Sequence, residues 1–251
     1  PLCAAGAPCD YCRCGVIDMP IEDRSLVSEH IFEIRQRALG RVLDIRGLIA
    51  DRISERLALS YWSITDNRVD FQTSADSDRE AAFVSHRNLG YVTRRAETRN
   101  FFVDRTLRFI RELLHLDGFE LRSVLRFGVR TRVLYPYQGR FEALTRRVTE
   151  LMPLHQNYTQ PFNASVEDVG PVIVLRREDL RIKVQAGPMN LQQSKSLMKG
   201  HDDLPDVGFY FDLDQYKSDL GPMQEGDIAA LLRSLHNQAW HAVDFYNRLL
   251  F

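Results

Sequence analysis

All four cysteines of the chain, Cys3, Cys9, Cys12 and Cys14, lie within its first fourteen residues. The spacing is C-x5-C-x2-C-x-C. Thiolates cluster to form disulfides, to hold metal or to do redox chemistry. Cys9-x2-Cys12 is the pincer that spans one edge of a zinc tetrahedron. Zinc modules usually take their second pincer from about a dozen residues further on. Here the remaining ligands would come from Cys3, folded back over the Gly6–Pro8 turn, and Cys14, with His30 able to replace one of them. Structural zinc is therefore one expectation, and a terminal tail with free thiols is the other. An iron–sulfur centre matches no standard spacing, and disulfides fit poorly with a chain whose remainder has no cysteine.

The second group is the arginine run in "LRSVLRFGVRTRVL". Strand alternation sends Leu121, Ser123, Leu125, Phe127, Val129, Thr131 and Val133 one way. Arg122, Val124, Arg126, Gly128, Arg130, Arg132 and Leu134 go the other. Residues two apart on a strand are ~6.6 Å apart, close to the phosphate repeat of a single nucleic-acid strand. Arginine also pairs with phosphates through two bonds. Arg181 and Lys183 on a later strand would extend this face, with Tyr135 and Tyr137 close by. The competing expectation is charge pairing. "FYFDLDQY" and its flank put Asp206, Tyr210, Asp212 and Asp214 on the polar face of another strand, and opposite charges on neighbouring strands pair across a solvent-facing sheet.

A third cluster, His201, Asp202, Asp203 and Asp206 in "GHDDLPD", has the composition of a hydrolytic metal site. It sits in a Gly/Pro-bounded stretch with no second cluster, so a solvated loop is expected. His236, Trp240 and Asp244 follow one another at single-turn spacing, the pattern of a helix contact. The chain contains no G-x-S-x-G, P-loop, G-x-G-x-x-G or H-E-x-x-H motif.

The elements that would position these residues follow from periodicity. "SEHIFEIRQRAL" alternates as a strand. Val42, Ile45, Leu48, Ile49 and Ile53 recur at helical spacing. "YWSITDNRVDFQTS" predicts two short strands about Asp66-Asn67, and "AAFVSHRNLGYVTR" one more. Asn100 is placed to cap a helix with Val103, Leu107, Ile110 and Leu114 on its apolar stripe, closed by Asp117-Gly118. The arginine strand comes next, then a helix carrying Phe141, Leu144, Val148 and Leu151. "GPVIVLRRED" and "LRIKVQAG" predict a hairpin, and "NLQQSKSLMKGHDDLPD" a loop. After "VGFYFDLDQY", a last helix from about Gln224 to Leu250 faces inward with Ile228, Leu231, Leu235, Ala242, Val243 and Tyr246.

Strands in runs, not in alternation with helices, predict an α+β fold. It would have an antiparallel or mixed sheet, helices packed on one face and the other face free. Residues 1–24 form a Cys-rich segment and 25–251 an α+β domain. Two similar halves would meet near 152–162.

The 251 residues are 44% hydrophobic and 27% charged, with net charge -1. That composition belongs to an ordinary globular protein. No apolar run approaches the ~18 residues of a membrane helix. The start carries no secretory pattern, and a cysteine-free body fits a reducing, cytoplasmic compartment. Of 33 basic residues, all but Lys183, Lys195, Lys199 and Lys217 are arginine, a bias that genome base composition would produce.

"LRFGVRTRVLYPYQGRFEAL", "VGFYFDLDQY" and "HNQAWHAVDFYNRLL" resemble a sporadically distributed bacterial family of uncharacterised proteins, over roughly residues 80–251. Its members share an R-x-G-x-R strand, as in Arg126-Gly128-Arg130, a late strand alternating apolar and acidic residues, and a C-terminal helix on the sheet. The resemblance implies this fold, a bacterial origin and an accessory or defence-linked role. It implies no active site. The expected function is non-enzymatic binding of a protein partner through the sheet face or the long helix. Nucleic-acid binding by the arginine strand and an unrecognised metal-dependent hydrolase are the alternatives.

Overall fold

The computed structural model describes residues 26–75, 77–96, 98–151 and 166–250. The four cysteines and the 152–162 boundary therefore lie outside the described residues. Nine strands form one antiparallel sheet: β1 (Val27–Gln36), β2 (Tyr61–Ile64), β3 (Arg68–Ser74), β4 (Ser77–Ser85), β5 (Asn88–Arg94), β6 (Val124–Pro136), β7 (Val172–Arg177), β8 (Leu180–Asn190) and β9 (Val207–Gly221). Their order across the sheet is β2-β3-β4-β5-β1-β6-β9-β8-β7. Six helices are described: α1 (Arg41–Asp44), α2 (Arg46–Leu57), α3 (Phe101–Leu114), α4 (Phe141–Glu150), α5 (Leu191–Leu197) and α6 (Glu225–Leu250). The fold is α+β, as the runs of strands predict.

The topology repeats. In each half a first strand (β1 or β6) is followed by helix and then by a meander. The last strand of that meander (β5 or β9) returns to pair with the first, and the next helix (α3 or α6) follows. The halves meet where β1 and β6 pair antiparallel.

Period-2 alternation sends one side of every central strand under the helices. Phe32 and Ile34 of β1, Phe127, Val129 and Val133 of β6, and Phe209, Phe211 and Leu213 of β9 are buried there. Ile49 and Ile53 of α2, Phe102, Phe109 and Ile110 of α3, Leu144 of α4, and Leu232, Leu235 and Val243 of α6 pack on them in one cluster spanning both halves. Gly90 lets β5 lie close to β1, since a Cβ there would meet Phe32 O at 2.7 Å.

Several local expectations change. "AAFVSHRNLGYVTR" is two strands, because Ser85 closes a turn. Its hydroxyl accepts from Arg87 N and Asn88 N and donates to Asn88 Oδ1. The predicted loop after Asn190 opens with α5, fixed by a capping box. Asn190 Oδ1 accepts from Gln193 N at 3.0 Å, and Gln193 Oε1 from Asn190 N at 2.9 Å. Asn100 makes no side-chain cap bond to α3. Leu48 and Leu151 are exposed, because each lies on the outward side of its helix. The face opposite the main helices is not wholly free. Val27, Leu134, Tyr210 and Met198 form a second small cluster there, with Met189, Leu197 and Leu204 against it, so α5 and the chain after it cover that end. No described helix is long and apolar enough to cross a membrane.

Candidate functional site: the open face of the sheet

Strand register arranges the uncovered side chains in transverse rows. One row runs Arg94, Glu29, Arg132, Asp212, Gln185 and Val172. The next runs Val92, Ile31, Arg130, Asp214, Lys183 and Val174. A third runs Gly90, Glu33, Gly128, Tyr216, Arg181 and Arg176. Across the central strands, cations and carboxylates thus fall side by side.

They form a connected lattice. Glu29 accepts from Arg94 Nε at 2.9 Å and from Arg132 Nη1 at 2.7 Å. Arg132 Nε also approaches Asp212 Oδ2, at 3.8 Å. Arg130 reaches diagonally to Asp212 through two bonds, Nε to Oδ1 at 2.7 Å and Nη2 to Oδ2 at 2.5 Å. Tyr210 OH donates to the same carboxylate at 3.1 Å. Arg126 bonds both oxygens of Asp214, at 3.2 and 3.1 Å, and its guanidinium lies 4.2 Å above the Tyr216 ring. Glu33 lies between Arg35, at 3.0 Å, and Arg126, at 3.9 Å.

Glu29 and Asp212 are the buried members. The Glu29 side chain is 3% exposed and that of Asp212 5%. An ion taken from water is tolerable only when paired and hydrogen-bonded, so each carboxylate here carries two or more donors. The hydrogen bond to Asp212 holds the Arg130 guanidinium more firmly protonated than usual. Burial, then the Asp212 charge, raises the Tyr210 phenol well above its ordinary range, so it stays a donor. Gly128 leaves a gap between Arg126 and Arg130. That gap is part of a hollow of about 160 Å3 shared with Ile31, Glu33, Arg35 and Asp214.

Charge pairing, the second expectation for the arginine strand, therefore accounts for Arg126, Arg130 and Arg132. Arg122 is not part of this face. It precedes β6 and pairs with Glu120 in solvent. Between Arg126 and Val124, β6 carries one residue more than the Arg35–Gln36 step of β1, which inverts the predicted sides at the strand's start. Val124 is buried while Leu125 is 40% exposed, as a bulge does when it inserts one extra residue. Tyr135 turns to the helix side, where its hydroxyl donates to Val243 O at 2.6 Å. Asp206 falls just before β9.

Arg181 and Lys183 behave differently. They project from β8, next to Arg176 of β7. All three are exposed, and among the described residues none forms an ion pair. Lys183 lines a small pocket of about 70 Å3 with Arg130, Gln185, Asp212 and Asp214. Beyond these cations the sheet ends at β7, where Val172, Ile173, Val174 and Leu175 are 47–65% exposed.

The remaining candidates separate. His201 is buried, Asp202 and Asp206 are exposed, and Asp203 meets Arg95 at 3.2 Å. Among the described residues no three His, Cys, Asp or Glu side chains are placed to hold a metal. His236 and Trp240 belong to the core: His236 Nε2 lies 2.6 Å from the Arg99 carbonyl oxygen and 3.0 Å from Trp240 Nε1. Asp244 pairs with Arg99, whose guanidinium covers the Trp240 ring. His30, the substitute metal ligand considered from sequence, is also there. Its ring is fully buried 5.1 Å from that of His236, with Nδ1 3.2 Å from Thr131 Oγ1. Burial lowers both histidines, His236 to about 4.

Sequence reasoning missed Glu29, Glu33, Arg35 and Arg94. Alternation in "SEHIFEIRQR" marks Glu33 and Arg35 as outward residues, but only register shows what they face. Compared with protein-family models, with curated proteins and with solved structures, the chain matches none.

Proposed function

We propose that the chain is a binding protein, not an enzyme, and that it takes an acidic protein partner on the open face of its sheet. The observation that carries this reading is the exposed cation group Arg176, Arg181 and Lys183 beside a lattice whose other arginines are each paired with a carboxylate. An acidic segment laid over β8 gains three unpaired cations without breaking an existing ion pair. A nucleic-acid backbone along β6 would have to displace Glu29, Asp212 and Asp214 from Arg126, Arg130 and Arg132, leaving the buried Glu29 and Asp212 unpaired. Nucleic acid is therefore the weaker reading, and the dispersed His201–Asp206 stretch supports no hydrolase. The family resemblance and the cysteine-free body fit an accessory, defence-linked role in a bacterial cytoplasm. Zinc held by Cys3, Cys9, Cys12 and Cys14 would make the N-terminal segment a folded appendage.

The test is fluorescence anisotropy of a labelled oligoglutamate peptide and of a labelled single-stranded oligonucleotide at low and high salt. Peptide binding that is lost in Arg181→Glu/Lys183→Glu is expected. Equal or tighter binding of the oligonucleotide, lost in the same variant with a steep salt dependence, replaces the protein partner with nucleic acid.

A further inference from the structure

We infer that a hollow where β1 finishes is a binding site for a small planar molecule that carries a phosphate, of the size of a mononucleotide. The hollow measures about 500 Å3. That lies within the ~300–1,000 Å3 of small-molecule sites, and a bare oxyanion would leave most of it unfilled. Three short pieces of chain build it: the end of β1 with the residues after it, the β4–β5 turn, and the start of β6.

Backbone hydrogen bonds tie these pieces together. Gln36 N donates to Arg87 O at 2.8 Å, Leu39 N to His86 O at 2.8 Å and Arg37 N to Ser123 O at 3.1 Å. The Ser85 hydroxyl holds the turn by accepting from Arg87 N and Asn88 N. The β6 bulge supplies an apolar wall. Leu125, the residue that β6 carries in excess of β1, is turned outward and lines the hollow with Ala38. Bulges re-aim side chains in this way beside binding sites.

The charge around the hollow is of one sign. Among the described residues, the charged side chains that line it are Arg35, Arg37 and Arg87, with no carboxylate. Glu33 engages Arg35 from outside, at 3.0 Å. Arg37 and Arg87 are exposed, and among the described residues their side chains form no ion pair and no hydrogen bond. Two free guanidiniums side by side suit a dianion. A phosphate monoester carries ~1.5–2 negative charges at neutral pH, and its oxygens match the guanidinium fork.

The rest of the lining suits a ring. A guanidinium has a flat face as well as donors and stacks on aromatic systems, as Arg126 does on Tyr216 and Arg68 on Phe83 in this chain. Leu125 is 40% exposed and offers apolar contact. Gln36 also lines the hollow, and its buried Nε2 has no hydrogen-bond partner among the described residues, so this wall has a polar donor to spare. A lone acidic side chain would meet the arginines but leave Leu125 and Ala38 uncovered. The site does not depend on the acidic-partner reading, since Arg176, Arg181 and Lys183 do not line it.

The experiment is isothermal titration calorimetry of the full chain with adenosine 5′-monophosphate, adenosine and inorganic phosphate. The monophosphate is expected to bind once per chain. Adenosine and inorganic phosphate, each with half of the complementary groups, are expected to bind at least ~10-fold more weakly. Arg37→Ala/Arg87→Ala is expected to weaken the monophosphate at least ~10-fold, the size of one lost charge-assisted contact. Arg146→Ala/Arg147→Ala removes the same charge from the exposed side of α4 and is expected to bind as the wild type does. No binding of the monophosphate at millimolar concentration overturns the inference. So does binding that Arg37→Ala/Arg87→Ala leaves unchanged, or that Arg146→Ala/Arg147→Ala weakens equally. Inorganic phosphate bound as tightly as the monophosphate overturns it too, because the ring then adds nothing.

Discussion

Glu29 and Arg132 stand directly opposite each other on β1 and β6, joined at 2.7 Å, with the carboxylate almost wholly out of water. The contact ties together the two halves of the fold at the one ladder they share. Glu29 also holds Arg94 of β5, so one side chain fixes three strands.

Removing that carboxylate takes one acceptor from each of two half-buried guanidiniums. Glu29→Ala is expected to lower the unfolding free energy by ~3 kcal/mol, the range for breaking one side of a buried ion pair. Glu29→Gln keeps an acceptor and is expected to cost less. Arg122→Ala, on a side chain in full solvent, is expected to leave the urea midpoint where it is. Equal midpoints for the three variants would show that the lattice adds nothing to stability.

His30 and His236 make the fold acid-sensitive. Burial holds both neutral, His236 down to about 4, while in the unfolded chain each titrates near ~6.5. Below that value the unfolded state binds more protons, so stability falls as pH falls. It is fully present above ~6.5, and the His236 share is lost progressively down to about 4. That share is ~3 kcal/mol. Urea midpoints measured between neutral pH and pH 4 are expected to decline, and those of His236→Gln, whose amide keeps a donor for the Arg99 carbonyl, to decline less steeply.

Two glycines on the same face differ in their tolerance. A Cβ at Gly90 meets Phe32 O at 2.7 Å and the Phe83 ring, whereas one at Gly128 finds nothing nearer than 3.6 Å. Gly90→Ala is expected to cost ~1–3 kcal/mol by forcing β1 and β5 apart. Gly128→Ala is expected to fold normally while partly filling the hollow between Arg126 and Arg130. Thermal melts distinguish the two.

For the cysteine segment, native mass spectrometry of protein purified without chelator is expected to show about one zinc per chain, absent after Cys9→Ser/Cys12→Ser. Four titratable thiols and no metal would make the segment a free-thiol tail.

The sequence alone determined what short-range periodicity controls. Alternation at Phe32 and Ile34, and at Phe209, Phe211 and Leu213, marked strands and their buried side. The 3.6-residue recurrence of Val103, Leu107 and Ile110 marked α3. The clustering of strands into runs was enough for an α+β fold with an antiparallel or mixed sheet. It also offered pairing of the arginines with the aspartates of "FDLD" as one of two expectations, because both sets occupy the polar phase of a strand.

Tertiary structure decided what depends on register. A single residue inserted at the start of β6 relative to β1 exchanged the sides of Val124 and Leu125, and no local pattern announces such a bulge. Glu29, Arg94 and Arg132 are far apart in the chain, so their lattice exists only once β5, β1 and β6 are side by side. The same holds for β7: "VIVL" reads as one arm of a hairpin, and only the strand order puts it last in the sheet, with its four side chains 47–65% exposed. Local sequence sets which way a side chain points relative to its neighbours. The company it keeps is set by strand order, which is a property of the whole chain.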